Sequence, residues 1–166
     1  MHNPIENIRQ SYKPDHIRTL FVGESSPASE DFFYFGNTIF TKCTRKAFER
    51  AHNFRFISDR AFLDYFKRQG CFLDDLSHEP VDHLKGEHRN NALKNSALSL
   101  AMRMQIYQPD VIIVWLKKIE PYVREAIRIS DIQSRFYTLP FPGNDNQNEY
   151  IEGLIRIISD APKMSD

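Results

Sequence analysis

Cysteine is scarce: Cys43 and Cys71 are the only two in a chain of 166 residues. Two thiols cannot build the disulfide framework of a small secreted scaffold. Nor can one chain assemble a four-cysteine zinc or iron–sulfur site from them. An excess of one charge is missing as well, since 22 basic and 22 acidic residues cancel. That excludes attachment to nucleic acid by bulk electrostatics alone, while leaving room for a locally basic face. No apolar run approaches the ~20 residues needed to cross a bilayer. No N-terminal stretch combines a charged start, an apolar middle and a small-residue cleavage site. The expectation is a cytoplasmic protein with no membrane partner. Internal repeats and low-complexity tracts are absent too.

What is present is an ordinary globular composition, 41% hydrophobic and 27% charged, with an unusually high 13% of aromatic residues. Either the core is rich in rings or some rings face a ligand. The length suits a single domain spanning 1–166, with its core at about 18–158. Local positive charge gathers at 42–50, at 85–94, and at Lys117-Lys118 with Arg124 and Arg128.

Strand-like and helix-like patterns alternate along the chain. Short apolar runs at 19–22, 71–73, 111–115 and 135–139 read as buried strands. Helical patterns occupy 44–52, 59–69, 90–107, 119–129 and 147–159. Ser58 suits the N-cap of the second of these, and Gly70 the position just past its end. In the third, Leu93, Ala97, Leu100, Ala101 and Met104 recur at core spacing. The stretches 1–14 and 161–166 look like polar ends. Strands alternating with crossover helices predict an α/β fold, a three-layer sandwich around a four-stranded parallel sheet.

In such a sheet ligands bind beyond the carboxyl ends of the strands. The unusual residues fall there. Glu24 follows the first strand, Asp74 and Asp75 the second, Lys117 and Lys118 the third, and 140–146 the fourth. The stretch 22–37, VGESSPASEDFFYFGN, sets a lone carboxylate beside a small-residue turn and four consecutive rings.

These segments resemble the uracil-DNA glycosylase superfamily. Gly23-Glu24-Ser25-Ser26-Pro27 stands in the place of its first motif, and the rings of 32–37 where it carries a base-stacking ring. Gly70-Cys71-Phe72-Leu73-Asp74 is similar to the strand that ends in its base-reading residue, and 139–146, LPFPGNDN, to its second motif. The resemblance covers roughly 18–158 and implies the same four-stranded parallel sheet.

The activity it implies is hydrolysis of the N-glycosidic bond of a deaminated or damaged base, flipped out of DNA, in base-excision repair. Glu24 would steer water or balance the cationic sugar. Asn144 and Asn146 would donate hydrogen bonds to the departing base. Gly23 and Ser25 would form the first-motif turn against the substrate. Phe35, with Phe33 second, would stack on the base, and Asp74 would read its edge. Pro140, Phe141 and Gly143 would meet the substrate from the last loop, with Phe141 as a wedge in the duplex. The implied partner is DNA, with no metal and no organic cofactor.

The chain departs from the family pattern in two places. Asp74 stands where many members have asparagine, and the second motif holds no histidine. An ionised aspartate only accepts hydrogen bonds. It suits an exocyclic amino group or the ring N–H of hypoxanthine at least as well as it suits uracil. The departures also favour a second reading, a catalytically degenerate module that binds a nucleic acid or nucleotide on the same fold. Plainer readings stand beside these. Glu24 suits a helix start, Ser25 and Ser26 suit caps, most of the rings suit the core, and Cys43 suits a packed interior. His78, His83 and His88 are spaced as solvated loop histidines rather than as ligands on one helix face, and His83, Lys85, His88 and Arg89 suit phosphate contacts.

Overall fold

The computed structural model describes residues 3–27, 30–143 and 145–161. Its sheet is built from β1 (Thr19–Ser25), β2 (Cys71–Ser77), β3 (Val111–Val114) and β4 (Arg135–Thr138). All pairings are parallel and the order is β2-β1-β3-β4. Six α-helices surround it: α1 (Pro4–Ser11), α2 (Ile39–His52), α3 (Asp59–Arg68), α4 (Gly86–Tyr107), α5 (Glu120–Ser130) and α6 (Gln147–Asp160). Short 3₁₀ turns lie at Phe33–Phe35 and Lys117–Ile119.

The β1–β2 register pairs Val22 with Asp74 and Gly23 with Asp75. Strand alternation then divides each strand between two faces. Phe21 turns to one face and meets Phe66 of α3, ring centroids 5.3 Å apart. Phe72 turns to the other and meets Tyr107 of α4 at 5.9 Å. Helices α2, α3 and α6 pack together, as α4 packs with α5 and against β2. This is consistent with a three-layer α/β sandwich. The abundance of rings is mostly a property of the core, where Phe21, Phe48, Phe62 and Phe66 are almost wholly buried.

The helix ends follow local chemistry. Ser58 caps α3 by accepting from the Ala61 N–H, and Gly70, at φ 72°, takes the left-handed turn that follows. Thr38 caps α2 through the Thr41 N–H, so this helix begins at Ile39, before the expected 44. Helix α4 likewise starts at Gly86 rather than at 90.

Two differences bear on function. Strands β1 and β2 run on to Ser25 and Ser77, so Glu24 and both aspartates lie within strands rather than in loops after them. The N-terminal stretch, expected as a polar end, contains α1, capped by Asn3 and started by Pro4. Its anchor is Arg9, whose side chain is completely buried. Arg9 and the Tyr34 hydroxyl both donate to the Leu73 carbonyl, and Tyr34 also accepts from the Leu73 N–H at 2.6 Å. Side chains thereby satisfy backbone groups on the outer edge of β2, where no further strand pairs.

Among the described residues, no helix is long and apolar enough to cross a membrane.

Candidate functional site

A cavity of about 210 Å³ opens at the carboxyl ends of β1 and β2, on the face that carries α2. Phe33, Phe40 and Trp115 supply its rings, and Glu24 and Asp75 its strand carboxylates. Phe40, at the start of α2, lies on Trp115 with ring centroids 3.6 Å apart. Gly23 is required at the floor. A Cβ there would collide with Asp75 Oδ1 and come within 3.0 Å of the Trp115 ring.

Glu24 is 9% exposed and sits between two cations. Arg89 of α4 donates to Oε1. Lys118 Nζ lies 3.1 Å from Oε2, close enough for charge attraction but not aligned for a hydrogen bond. The Lys118 side chain is 59% exposed, so this pair meets solvent at the rim.

Asp75 faces the same cavity. Its Oδ2 accepts from Arg9 Nη2 at 2.8 Å, and its side chain is 8% exposed. Burial pushes its carboxyl above the ordinary range, and Arg9 offsets only part of that. Arg9 also donates to Ser26 Oγ at 3.1 Å and lies 5.3 Å from the centroid of Phe32, another lining ring.

Asp74 points the opposite way. It is wholly buried against α4, where Arg103 Nη1 donates to Oδ2 at 2.5 Å and the Tyr107 hydroxyl at 3.0 Å. His78 Nε2 lies 2.7 Å from Oδ1, and Arg9 Nη1 3.7 Å from it. Burial alone would raise this carboxyl, but His78, Arg103 and Arg9 together hold it well below the usual range. The Tyr107 hydroxyl is pushed up by burial and by the Asp74 charge.

The expected site residues thus divide. Gly23, Glu24, Ser25 and Phe33 line the cavity. Asp74 does not, because strand alternation gives that face to its neighbour Asp75. Phe35, the ring first expected to stack on a base, is 45% exposed and outside the lining. Pro140, Phe141 and Gly143 are also outside it. Phe141 packs edge-on against Phe40 at 5.1 Å, and its ring covers Gly143, where a Cβ would strike it. Phe141 remains 39% exposed while it rests on Phe40, a ring of the cavity wall. Asn146 is exposed at the N-cap of α6 and makes no side-chain capping bond. Asn144 lies outside the described residues.

Sequence reading put Asp75 at the rim but gave the base-reading role to Asp74, took Arg89 for a phosphate contact, and missed Phe40, Trp115 and Arg9. Parity along β2 was the available signal for Asp75: it shares a face with Leu73, as Gly23 does with Phe21. The two contacting rings carried no local signal, since they come from α2 and from the end of β3. His78 joins the Asp74 cluster, and no group of three or more potential ligands among the described residues is placed to hold a metal ion. Both cysteines are buried, and burial pushes the Cys71 thiol up to about 12. Cys71 belongs to a separate cavity of about 60 Å³ near Thr19 and Val111, at the opposite ends of the strands.

Compared with models of protein families and with curated proteins, the chain matches none.

Proposed function

We propose that the cavity receives a flat nucleobase turned out of a DNA strand, and that Glu24 assists hydrolysis of its N-glycosidic bond. The reading is a divergent member of the uracil-DNA glycosylase superfamily acting in base-excision repair. The observation that carries it is the joining of Glu24 with Phe33, Phe40 and Trp115 around one small void. At about 210 Å³ that void is below the ~300–1,000 Å³ of pockets for drug-sized ligands, which suits a single ring system.

In the reaction, the bond between the anomeric carbon and the base nitrogen breaks with its electron pair leaving on the base. Water adds to the anomeric carbon and loses a proton, and the departing base takes one up. A carboxylate beside the sugar stabilises the cationic transition state and orients the water. Glu24 is buried at the cavity, and its Oε2 lies beneath Lys118 without a hydrogen-bond partner, so it meets a donor only if the exposed Lys118 side chain swings aside. Arg89 and Lys118 place positive charge where a departing anion benefits.

One observation favours the second reading, a binding module without chemistry. Those same two cations already pair with Glu24 and compete with a water or a sugar for its oxygens. Labelled oligonucleotides containing uracil, hypoxanthine, xanthine or an alkylated base, treated with alkali after incubation, separate the cases. Strand breaks that disappear in Glu24→Gln support the glycosylase. Binding without breaks supports the module, and neither binding nor breaks overturns both.

A further inference from the structure

We infer that Arg9 is a positioning residue that fixes the hydrogen-bond polarity of Asp75, so that the cavity selects heterocycles presenting an N–H donor. This rests on the reading of the cavity as a base pocket and names the class of base it takes.

A guanidinium donates hydrogen bonds and accepts none. Arg9 is completely buried, so its N–H groups must find acceptors within the protein. Nη2 finds two, Asp75 Oδ2 at 2.8 Å and Ser26 Oγ at 3.1 Å. The Asp75 backbone N–H is spent on Asp74 Oδ1 at 2.8 Å, which fixes the main chain beneath the carboxylate. With Oδ2 held outward by Arg9, Oδ1 lies over Gly23 and beside Trp115, both of which line the cavity. While Asp75 is ionised against the Arg9 guanidinium, a ligand stacked against these rings meets an acceptor at Oδ1. An exocyclic amino group or a ring N–H satisfies it, whereas a carbonyl or a pyridine-type nitrogen meets it lone pair to lone pair.

Arg9 also explains why the acceptor stays in place. The guanidinium holds the carboxylate on one side and lies over Phe32 on the other, so one buried cation braces an acid and a ring of the same cavity. A buried ion pair is a costly way to join α1 to the sheet if packing were its only purpose. Orienting a group that faces a ligand gives the pair a second use.

The template has a sharp consequence. In Asp75→Asn the amide oxygen must face Arg9, because Arg9 can only donate. The amide N–H₂ is then turned into the cavity, and the preference changes sign. Removing Arg9 in the same chain frees the amide to rotate. It also avoids leaving a buried arginine or aspartate without its partner, which keeps the double variant foldable.

The chain's single tryptophan, Trp115, reports occupancy through its fluorescence. The probes are 9-methyladenine and 9-methylhypoxanthine, which present an N–H donor, and 9-methylpurine, which presents none. Wild-type protein is expected to bind either donor at least tenfold more tightly than 9-methylpurine. Asp75→Asn is expected to abolish or reverse that preference, and Arg9→Met/Asp75→Asn to restore part of it, with far-ultraviolet circular dichroism confirming the fold of each. If no heterocycle quenches Trp115, the base-pocket reading fails. Quenching with equal affinity for all three probes leaves the pocket and overturns the donor rule. Identical selectivity of the single and double variants removes Arg9 from the account.

Discussion

Asp74 and Asp75 are neighbours in β2 and share the same side-chain chemistry, yet they sit on opposite faces of the sheet in different kinds of company. Asp74 has donors converging on both oxygens: Arg103 and Tyr107 on Oδ2, His78 on Oδ1. Asp75 has one strong partner, Arg9 on Oδ2, and its other oxygen lies at a cavity. A buried acid with all its acceptor capacity filled from within holds elements together, here β2, α1 and α4. A buried acid with capacity directed at a void, and with its proton affinity raised, is the one suited to a ligand. Strand alternation thus puts two identical residues, one position apart, in different surroundings.

The largest expected effect tests that separation directly. In Asp74→Asn, one oxygen becomes an N–H₂ group that must face either Arg103 on one side or the Asp75 backbone N–H on the other, neither of which can accept from it. This should cost about 3–5 kcal/mol, the range for breaking a buried ion pair. In Asp75→Asn the remaining oxygen still meets Arg9, and Glu6 and Asp74 still balance that cation, so the cost should be smaller, about 1 kcal/mol. Urea unfolding midpoints of the two variants measure the difference. Equal losses would mean that the acids do the same job and would break the comparison.

The same contrast marks how much was legible in the sequence. The four strands, their parallel arrangement and the core of α4 follow from short apolar runs and helical spacing, which depend on local pattern. Gly23, Glu24, Ser25 and Phe33 come together at one cavity because the strand ends and the segments after them converge at one rim of a parallel sheet. Which aspartate faces the cavity depends on where β2 ends and in what register it pairs. Reading the strand as finished at 73 removed the parity that distinguishes 74 from 75. Helix α1 was invisible for another reason. PIENIRQS has two aliphatic residues, Ile5 and Ile8, and its deepest side chain is an arginine, so no apolar stripe announces it. Phe40 and Trp115 meet only after α2 packs beside β3. Phe33 rather than Phe35 lines the cavity because the 3₁₀ turn Phe33–Phe35 turns Phe33 inward and leaves Phe35 exposed.

The second effect in size belongs to the cavity side alone. Phe40→Ala removes a half-buried ring that lies on Trp115 and lines the void. Affinity for the heterocycle should fall by about 1–3 kcal/mol, the worth of stacking on a base. Phe35→Ala, outside the lining, should change it little. Titration followed by Trp115 fluorescence or by calorimetry compares the two. A larger loss from Phe35→Ala would return the stacking role to the ring that the sequence favours.

Acid should pull the two aspartates in opposite directions. Asp74 has a folded pKa below its unfolded value of about 4. Its stabilising contribution is present above that value and is lost as pH falls towards the folded pKa. Asp75 has a folded pKa above its unfolded value. Its contribution is present below about pH 4 and is lost as pH rises through the folded pKa. The stability gap between wild type and Asp74→Asn should therefore shrink on acidification. Relative to Asp75→Asn, wild type should instead gain. Urea midpoints measured from neutral pH down to about pH 3 cover the window, and parallel trends would show that the two carboxylates titrate as one unit.

The smallest effect concerns Glu24, the other strand carboxylate at the cavity, and sharpens the contrast between a filled and an available acid. Its two cations differ in exposure: the Arg89 side chain is 23% exposed and that of Lys118 59%. An ion pair so open to water is worth little to the fold, so Lys118→Met should shift stability by less than about 1 kcal/mol. If Lys118 meets a phosphate when a strand is bound, its loss should lower the slope of log affinity against log salt by about one. Arg89 is held more deeply and donates to Glu24 directly, so Arg89→Met should act mainly on Glu24 and leave that slope nearly unchanged. Anisotropy titrations of a labelled single strand at several salt concentrations distinguish them. A slope unchanged in Lys118→Met would make this lysine a counter-ion for Glu24 and nothing more, and Glu24 would then resemble Asp74 more closely than Asp75.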